Sequence, residues 1–336
     1  MMRKFCILSV FRPLVTFVTF FTFVTFFTFS LEATKGSAGV KGGAFLLIPV
    51  GVRAMGMGDT GAAVHGGLSQ ATYNPATIAG ARSSEVLFSY QMFLVDTSLN
   101  FLGLRAPVNF KGIHGVGGAN AFASLLFIDK GNFELNKLNT DGSLSSSQLK
   151  SAGRDIAFSF GYAEHFLKSD LGLEFMEGGE HSLGFTVRGL QSNLADEYDA
   201  YAACVDLGYL GKFRKYAIGI SASNIGSKLK FIEAGDPLPV VMRGGISYSI
   251  DHPSYGILLA AEILSQDGSS RGRFGTELDF SRGLAVRTGW RIEPSDSLGG
   301  PTFGLGLQRR ALALDYAFGW YGDLRDTHRL SVGWHF

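Results

Sequence analysis

Cysteine is almost absent from this chain. Only Cys6 and Cys204 occur in 336 residues, which excludes a disulfide framework and a Cys-based metal site. Charge is sparse and balanced, with 30 Lys and Arg against 29 Asp and Glu, together 18% of the chain. That balance lacks the basic footprint of a nucleic-acid binder, and 18% lies below the roughly one quarter usual in soluble domains. Beyond the N-terminal segment, no stretch offers the ~18 uninterrupted apolar residues of a membrane helix. Phosphate-loop and zinc-protease motifs are missing, and Gly56-Met57-Gly58 lacks the following glycines and helix of a nucleotide site. The seven histidines are scattered; His65 and His114 lie among glycines and read as structural. Many serines occur, but no spacing selects one for a Ser–His–Asp or Ser–His–Asn set. The sequence therefore predicts neither an enzyme nor a cofactor.

What is present points to lipid. Gly (45) and Phe (29) are plentiful, and many apolar residues with few charges fit an outer surface that meets hydrocarbon. Arg3 and Lys4 precede an uncharged run of Phe, Val and Thr from Leu14 to Phe29, and small residues follow at Ala33, Ser37 and Ala38. Basic, apolar, small is the order of a secretory signal, assigned to residues 1–33 with cleavage as late as 38. An uncleaved anchor is the alternative. No cysteine just after the run would take a lipid.

From Ser84 onward, period-two alternation recurs. Leu284, Val286, Thr288, Trp290 and Ile292 share one face, and Ala285, Arg287, Gly289, Arg291 and Glu293 the other. About fourteen such segments of roughly ten residues follow, the length a tilted strand needs to cross a bilayer. They start near Ser84, Thr97, Gly112, Arg154, Glu180, Ala200, Tyr216, Pro239, Tyr255, Ser270, Gly283, Gly300, Leu312 and Thr327. A soluble sandwich also alternates, but Trp290, Trp320, Tyr321 and Trp334 near strand ends fit interfacial girdles. Hydrocarbon cannot satisfy loose backbone groups, so an embedded sheet must close. The fold class is all-β: a transmembrane antiparallel barrel over 84–336. Arg214-Lys215, Ser281-Arg282 and Arg310-Ala311 read as tight turns; Gly131–Gly153, Ser227–Leu238 and Pro294–Gly299 read as longer loops. Leu167–Gly179 is long where a short turn is expected.

The chain ends with Leu330, Val332, Trp334 and Phe336 on one face. Soluble termini usually fray, whereas here the last residue completes an apolar face. Such an ending resembles the signal read by the barrel-insertion machinery of Gram-negative bacteria, so that machinery and outer-membrane lipid are the expected partners, with location in the cell outer membrane.

Residues 39–82 break the ladder. They are small, apolar and glycine-rich, with a turn signal at Asn74-Pro75. Irregular backbone is tolerated at membrane depth only inside protein or lining a cavity, so this segment is read as a plug in the lumen. Phe45-Leu46-Leu47-Ile48, then Arg53-Ala54-Met55-Gly56-Met57-Gly58, then Asn74-Pro75-Ala76 resemble the N-terminus of the PorV/PorQ family, which is similar to the FadL-like fatty-acid transporters. The resemblance runs from Gly42 to Phe336 and is strongest over Gly42–Ala79. Where the family often has Trp before the Asn and Gly-Leu after the Ala, this chain has Tyr73, Thr77 and Ile78. It implies a FadL-like barrel with an internal hatch and leaves two roles open. One is passive transport of hydrophobic small molecules. The other is an accessory of type IX-like protein secretion that binds exported cargo proteins, chiefly through Gly131–Gly153.

Two luminal features follow. Arg188, Arg243, Glu262, Arg273, Glu277, Arg287, Arg291 and Asp315 are expected inside the barrel as a mutually neutralising network, with a charge-selective filter as the alternative. Gly115, Gly117 and Gly118, assigned to the third strand, mark a bulge or bend. The resemblance makes them a candidate lateral gate; making room for the plug is the alternative.

Overall fold

In a computed structural model, the structure describes residues 41–92, 97–108, 112–139, 144–169, 179–232, 235–281, 283–293, 299–320 and 326–336. The expected signal segment, Tyr321 and residues 294–298 lie outside the described residues. Strands β1 (Glu85–Met92), β2 (Ser98–Pro107) and β3 (Asn120–Asp129) come first, followed by β4 (Asn132–Leu138) and β5 (Leu144–Ser151). Next are β6 (Arg154–Ser169), β7 (Gly179–Leu194), β8 (Tyr198–Phe213) and β9 (Tyr216–Gly226), then β10 (Lys228–Lys230) and β11 (Gly235–Pro237). The chain continues through β12 (Val241–His252), β13 (Tyr255–Gln266), β14 (Ser269–Phe280), β15 (Leu284–Ile292), β16 (Gly300–Arg309), β17 (Leu312–Gly319) and β18 (Thr327–His335).

Fourteen of these strands close into one antiparallel barrel, β18 pairing with β1. The short pairs β4–β5 and β10–β11 form separate hairpins, so the two long loops expected at Gly131–Gly153 and Ser227–Leu238 carry structure of their own. Closure is completed by the terminal residue, since Ser84 N donates to Phe336 O (2.9 Å) and Phe336 N to Ser84 O (3.0 Å). We call the rim at this junction the near rim and the opposite one the far rim.

Alternation sets the two faces. On β1, Val86, Phe88, Tyr90 and Met92 are exposed while Glu85, Leu87, Ser89 and Gln91 are buried. The same phase exposes Phe158 and Phe160, Phe303, Leu305 and Leu307, and Leu330, Val332, Trp334 and Phe336. An apolar surface continuous around the wall would aggregate in water; hydrocarbon satisfies it. Trp290 and Trp320 stand exposed toward the far rim and Trp334 at the near rim, the two levels of an aromatic girdle. Among the described residues no helix is long and apolar enough to cross a membrane.

Inside the wall lies the segment from Lys41 to Arg82. It holds one short helix, α1 (Val52–Gly56), and 3-10 turns at Ala44–Leu47, Leu68–Thr72 and Pro75–Ile78. Helix α1 packs on β15–β18, the Leu68 turn on β1 and β2, and the Pro75 turn on β6–β8. Met55, Met57, Leu68, Tyr73 and Ile78 are almost fully buried.

One expectation fails in the wall. The third strand begins at Asn120, not near Gly112. Gly115, Gly117 and Gly118 have φ of 75°, 100° and 68°, a left-handed backbone that cannot continue a strand. They therefore lie in the β2–β3 connection at the near rim, not in the strand.

Candidate functional site: the plugged lumen

The wall is shaped to admit the plug backbone. Gly184, Gly208, Gly219, Gly275 and Gly289 face it so closely that a Cβ at any of them would overlap Pro75, Asn74, Ala62, Met57 or Gly58. Glycine in a strand interior costs stability, and close backbone approach is the reason to retain it. Gly56 lies against Gly304. Gly58, at φ +70°, donates its N–H to Thr302 Oγ1 (2.9 Å).

Polar anchors surround the plug. Arg53 grips Glu277 with Nε (2.8 Å) and Nη2 (2.6 Å) and donates Nη1 to His65 O (3.2 Å). Glu262 Oε2 accepts from both Gly61 N and Ala62 N at 2.8 Å, and its other oxygen takes Arg243 Nη1 at 2.7 Å. Arg243 also lies over the Tyr73 ring. Glu85 accepts from Leu68 N (2.9 Å) and pairs with Arg105 (3.1 Å). Asn74 Oδ1 caps the Pro75 turn through Ala76 N (3.0 Å), while Nδ2 donates to Ala62 O (2.7 Å) and Tyr209 O (2.9 Å). The motif residues Arg53, Gly58 and Asn74 thus make anchors, whereas Met55 fills space beside Val52 and Ala317.

All eight luminal charges read from the sequence have opposite-sign partners here. Arg188 pairs with Asp206 (2.6 Å), Arg287 with Glu277 (2.6 Å) and Asp315 (2.5 Å), and Arg273 with Glu293. Arg291 faces Asp59 (3.8 Å). Asp206, Arg329 and Asp59 join these charges without having been among those expected. Asp206 and Arg329 stand in phase with the luminal rows of β8 and β18, so alternation could have found them. Asp59, in irregular backbone, gives no such signal. Tyr73 Oη (3.3 Å) and Arg329 Nη1 (3.4 Å) donate to Asp59. Burial opposes its charge, but the guanidiniums of Arg329 and Arg291 outweigh this and hold its carboxyl below the usual range. Burial lowers His65 to about 4, with Lys212 and Arg53 adding repulsion.

Among the described residues, several cavities remain beside the plug. One, in the far half, is small (about 50 Å³); Leu46, Ile48, Phe101 and Leu126 line it with Arg188, Asn224 and Arg243. Two vestibules of about 250 Å³ each open in the near half, and both are lined by Arg53 and Glu277. Among the described residues no cluster of three or more His, Cys, Asp or Glu could hold a metal.

The fold is a closed barrel of fourteen antiparallel strands, apolar outside and filled by the segment from Lys41 to Arg82. The chain is similar in structure to the toluene transporter TodX of P. putida, at 11% identity and a TM-score of 0.58, over 85% of this chain and 98% of that one. It also resembles the Ralstonia pickettii toluene transporter TbuX (12%, 0.51, 85% and 97%) and the monoaromatic hydrocarbon channel CymD (12%, 0.51, 86% and 97%). At these identities the likeness is one of fold. No protein-family model matches the sequence, and no curated protein does.

Proposed function

We propose that this chain is an outer-membrane channel of the PorV/PorQ type that passes hydrophobic small molecules passively. In this reading it is exported by a cleaved signal, inserted through the strand whose outer face carries Leu330, Val332 and Trp334, and oriented with the near rim in the periplasm. The carrying observation is the far-half cavity, apolar along Leu46, Ile48, Phe101 and Leu126 and closed below by the plug. Its charged members are already neutralised, Arg188 by Asp206 and Arg243 by Glu262, so a ligand there meets apolar side chains beside hydroxyls and paired polar groups. The solved neighbours named as hydrocarbon channels support the same reading. A cavity of about 50 Å³ is smaller than the ~150 Å³ that accepts benzene. A ligand must therefore displace the Ala44–Val50 limb.

The β2–β3 connection with Gly115, Gly117 and Gly118 is the proposed lateral exit. Toluene uptake into proteoliposomes tests the function. Uptake above protein-free vesicles supports it, and equal rates refute it. The secretion-accessory reading draws on the far-rim β4–β5 hairpin, which exposes Phe133 and Leu149. Purification from native membranes with secreted proteins bound, and with no lipid-like ligand, would favour it.

A further inference from the structure

Between β14 and β18 the luminal wall loses its bulk near the near rim. A cross-strand row there reads Asp279, Ala285, Gly306, Asp315 and Ser331. Ala285 and Gly306 have almost no side chain, and neither have Ala313 and Gly333 one step closer to the rim. The space they leave is one of the two near-half vestibules, about 250 Å³. It is larger than the ~150 Å³ that accepts benzene.

Four carboxylates line it: Glu85, Glu277, Asp279 and Asp315. Three are already held. Arg105 pairs with Glu85, Arg53 and Arg287 with Glu277, and Arg287 also with Asp315. Four carboxylates against three guanidiniums leave one negative charge over. It falls on Asp279, which is exposed and has no hydrogen bond or ion pair among the described residues. The plug supplies a second, independent feature. Gln70, in the Leu68–Thr72 turn, is 0% exposed and lines the same vestibule. Neither its Oε1 nor its Nε2 has a hydrogen-bond partner among the described residues. Buried amides are normally bonded, so this acceptor stands ready for a donor from the vestibule.

We propose that this vestibule binds a small aliphatic ammonium ion. The surplus carboxylate sets the sign, because a cleft with an excess of one charge concentrates the opposite one. The scatter of the acceptors sets the form. Among the described residues no three of His, Cys, Asp and Glu are grouped to hold a metal. An ammonium head instead carries three N–H donors that can reach separate acceptors. Asp279 takes one and Gln70 Oε1 another, and the Ser331 hydroxyl on the same wall offers a third. Leu87, Ala285 and Ala313 give the alkyl part an apolar surface. Bound in this way, the cation ties Gln70 of the plug to Asp279 of the wall. The site is separate from the far-half cavity and does not depend on the transport reading.

The test uses the full-length protein in phosphatidylcholine nanodiscs. n-Butylamine, protonated near neutral pH, is titrated and followed by ligand-observed NMR against empty nanodiscs, with n-butanol as the uncharged control. Butylamine should bind saturably and butanol should not. Asp279→Asn should weaken binding about tenfold, as expected for losing a charge-assisted hydrogen bond. Its side chain is exposed and unpaired, so the fold is not at risk. Gln70→Leu, similar in size, should weaken binding several-fold, and retained heat-modifiability in gels shows that the barrel is intact. No saturable binding above empty nanodiscs overturns the site, and so does equal binding of butanol. Undiminished affinity in Asp279→Asn overturns the placement. Undiminished affinity in folded Gln70→Leu reduces the effect to diffuse attraction and overturns the built site.

Discussion

Glu262 provides the sharpest test of how the plug is held. Its carboxylate, 2% exposed, accepts two plug N–H groups and one guanidinium, joining residues about two hundred positions apart. Glu262→Ala leaves Gly61 N, Ala62 N and the Arg243 cation without that acceptor. Hydrogen bonds to a charged group contribute ~1.5–3 kcal/mol each, and breaking a buried ion pair costs ~3–5 kcal/mol. These figures overlap, because the same carboxylate serves all three donors. Arg243 keeps partial solvent access and its place over Tyr73, so about 4 kcal/mol is reasonable. That corresponds to roughly a thousandfold loss of protection for amides over Gly61–Val64, at about 1.4 kcal/mol per tenfold. The wall ladders are untouched, so β12–β14 amides should keep their protection. Replacing both partners, Arg243→Met with Glu262→Leu, should recover the charge part of the loss but not the orphaned N–H groups. Hydrogen exchange by mass spectrometry in nanodiscs reads all three proteins. If Glu262→Ala leaves Gly61–Val64 as protected as in the parent, the plug is not held by this anchor and the estimate is wrong.

Other consequences follow from the same geometry. Gly289→Val puts a side chain into the Gly58 backbone; it should displace the plug and raise single-channel conductance in planar bilayers above the parent's. His65, held down to about 4 by burial, is neutral in the folded plug and ordinary, near 6.5, when released. Stability from this group is complete above pH ~6.5 and falls as pH drops toward about 4, by at most about 3 kcal/mol. Exchange of plug amides should therefore quicken over that window, and His65→Gln should flatten the change. Removing Phe336 deletes the paired hydrogen bonds to Ser84 and one apolar rung. The folded fraction reaching the membrane should drop, read by heat-modifiability.

The wall was legible because its physics is local. Period two sorts lumen from lipid at every strand, and thirteen strands start within two residues of where alternation places them. The third misleads because Gly112-Ile113-His114-Gly115-Val116-Gly117-Gly118 has too few side chains to show a phase. Positive φ at its glycines turns it into a connection. That connection packs on Glu164, which alternation alone would assign to lipid. Anchors inside the plug are harder still, since Asp59 meets Arg329 across 270 residues and irregular backbone carries no period. The eight luminal charges were readable as a set, but their partners depended on the closing of the barrel and the position of the plug.

The proposed function has a plugged barrel pass hydrophobic molecules, and a lumen filled by Lys41–Arg82 should carry no steady ion current. The most direct measurement follows toluene uptake and ion conductance on the same reconstituted preparation. Toluene flux well above protein-free vesicles, with no steady ionic conductance, is the expected result. Porin-like conductance, or no toluene flux from folded protein, would contradict it.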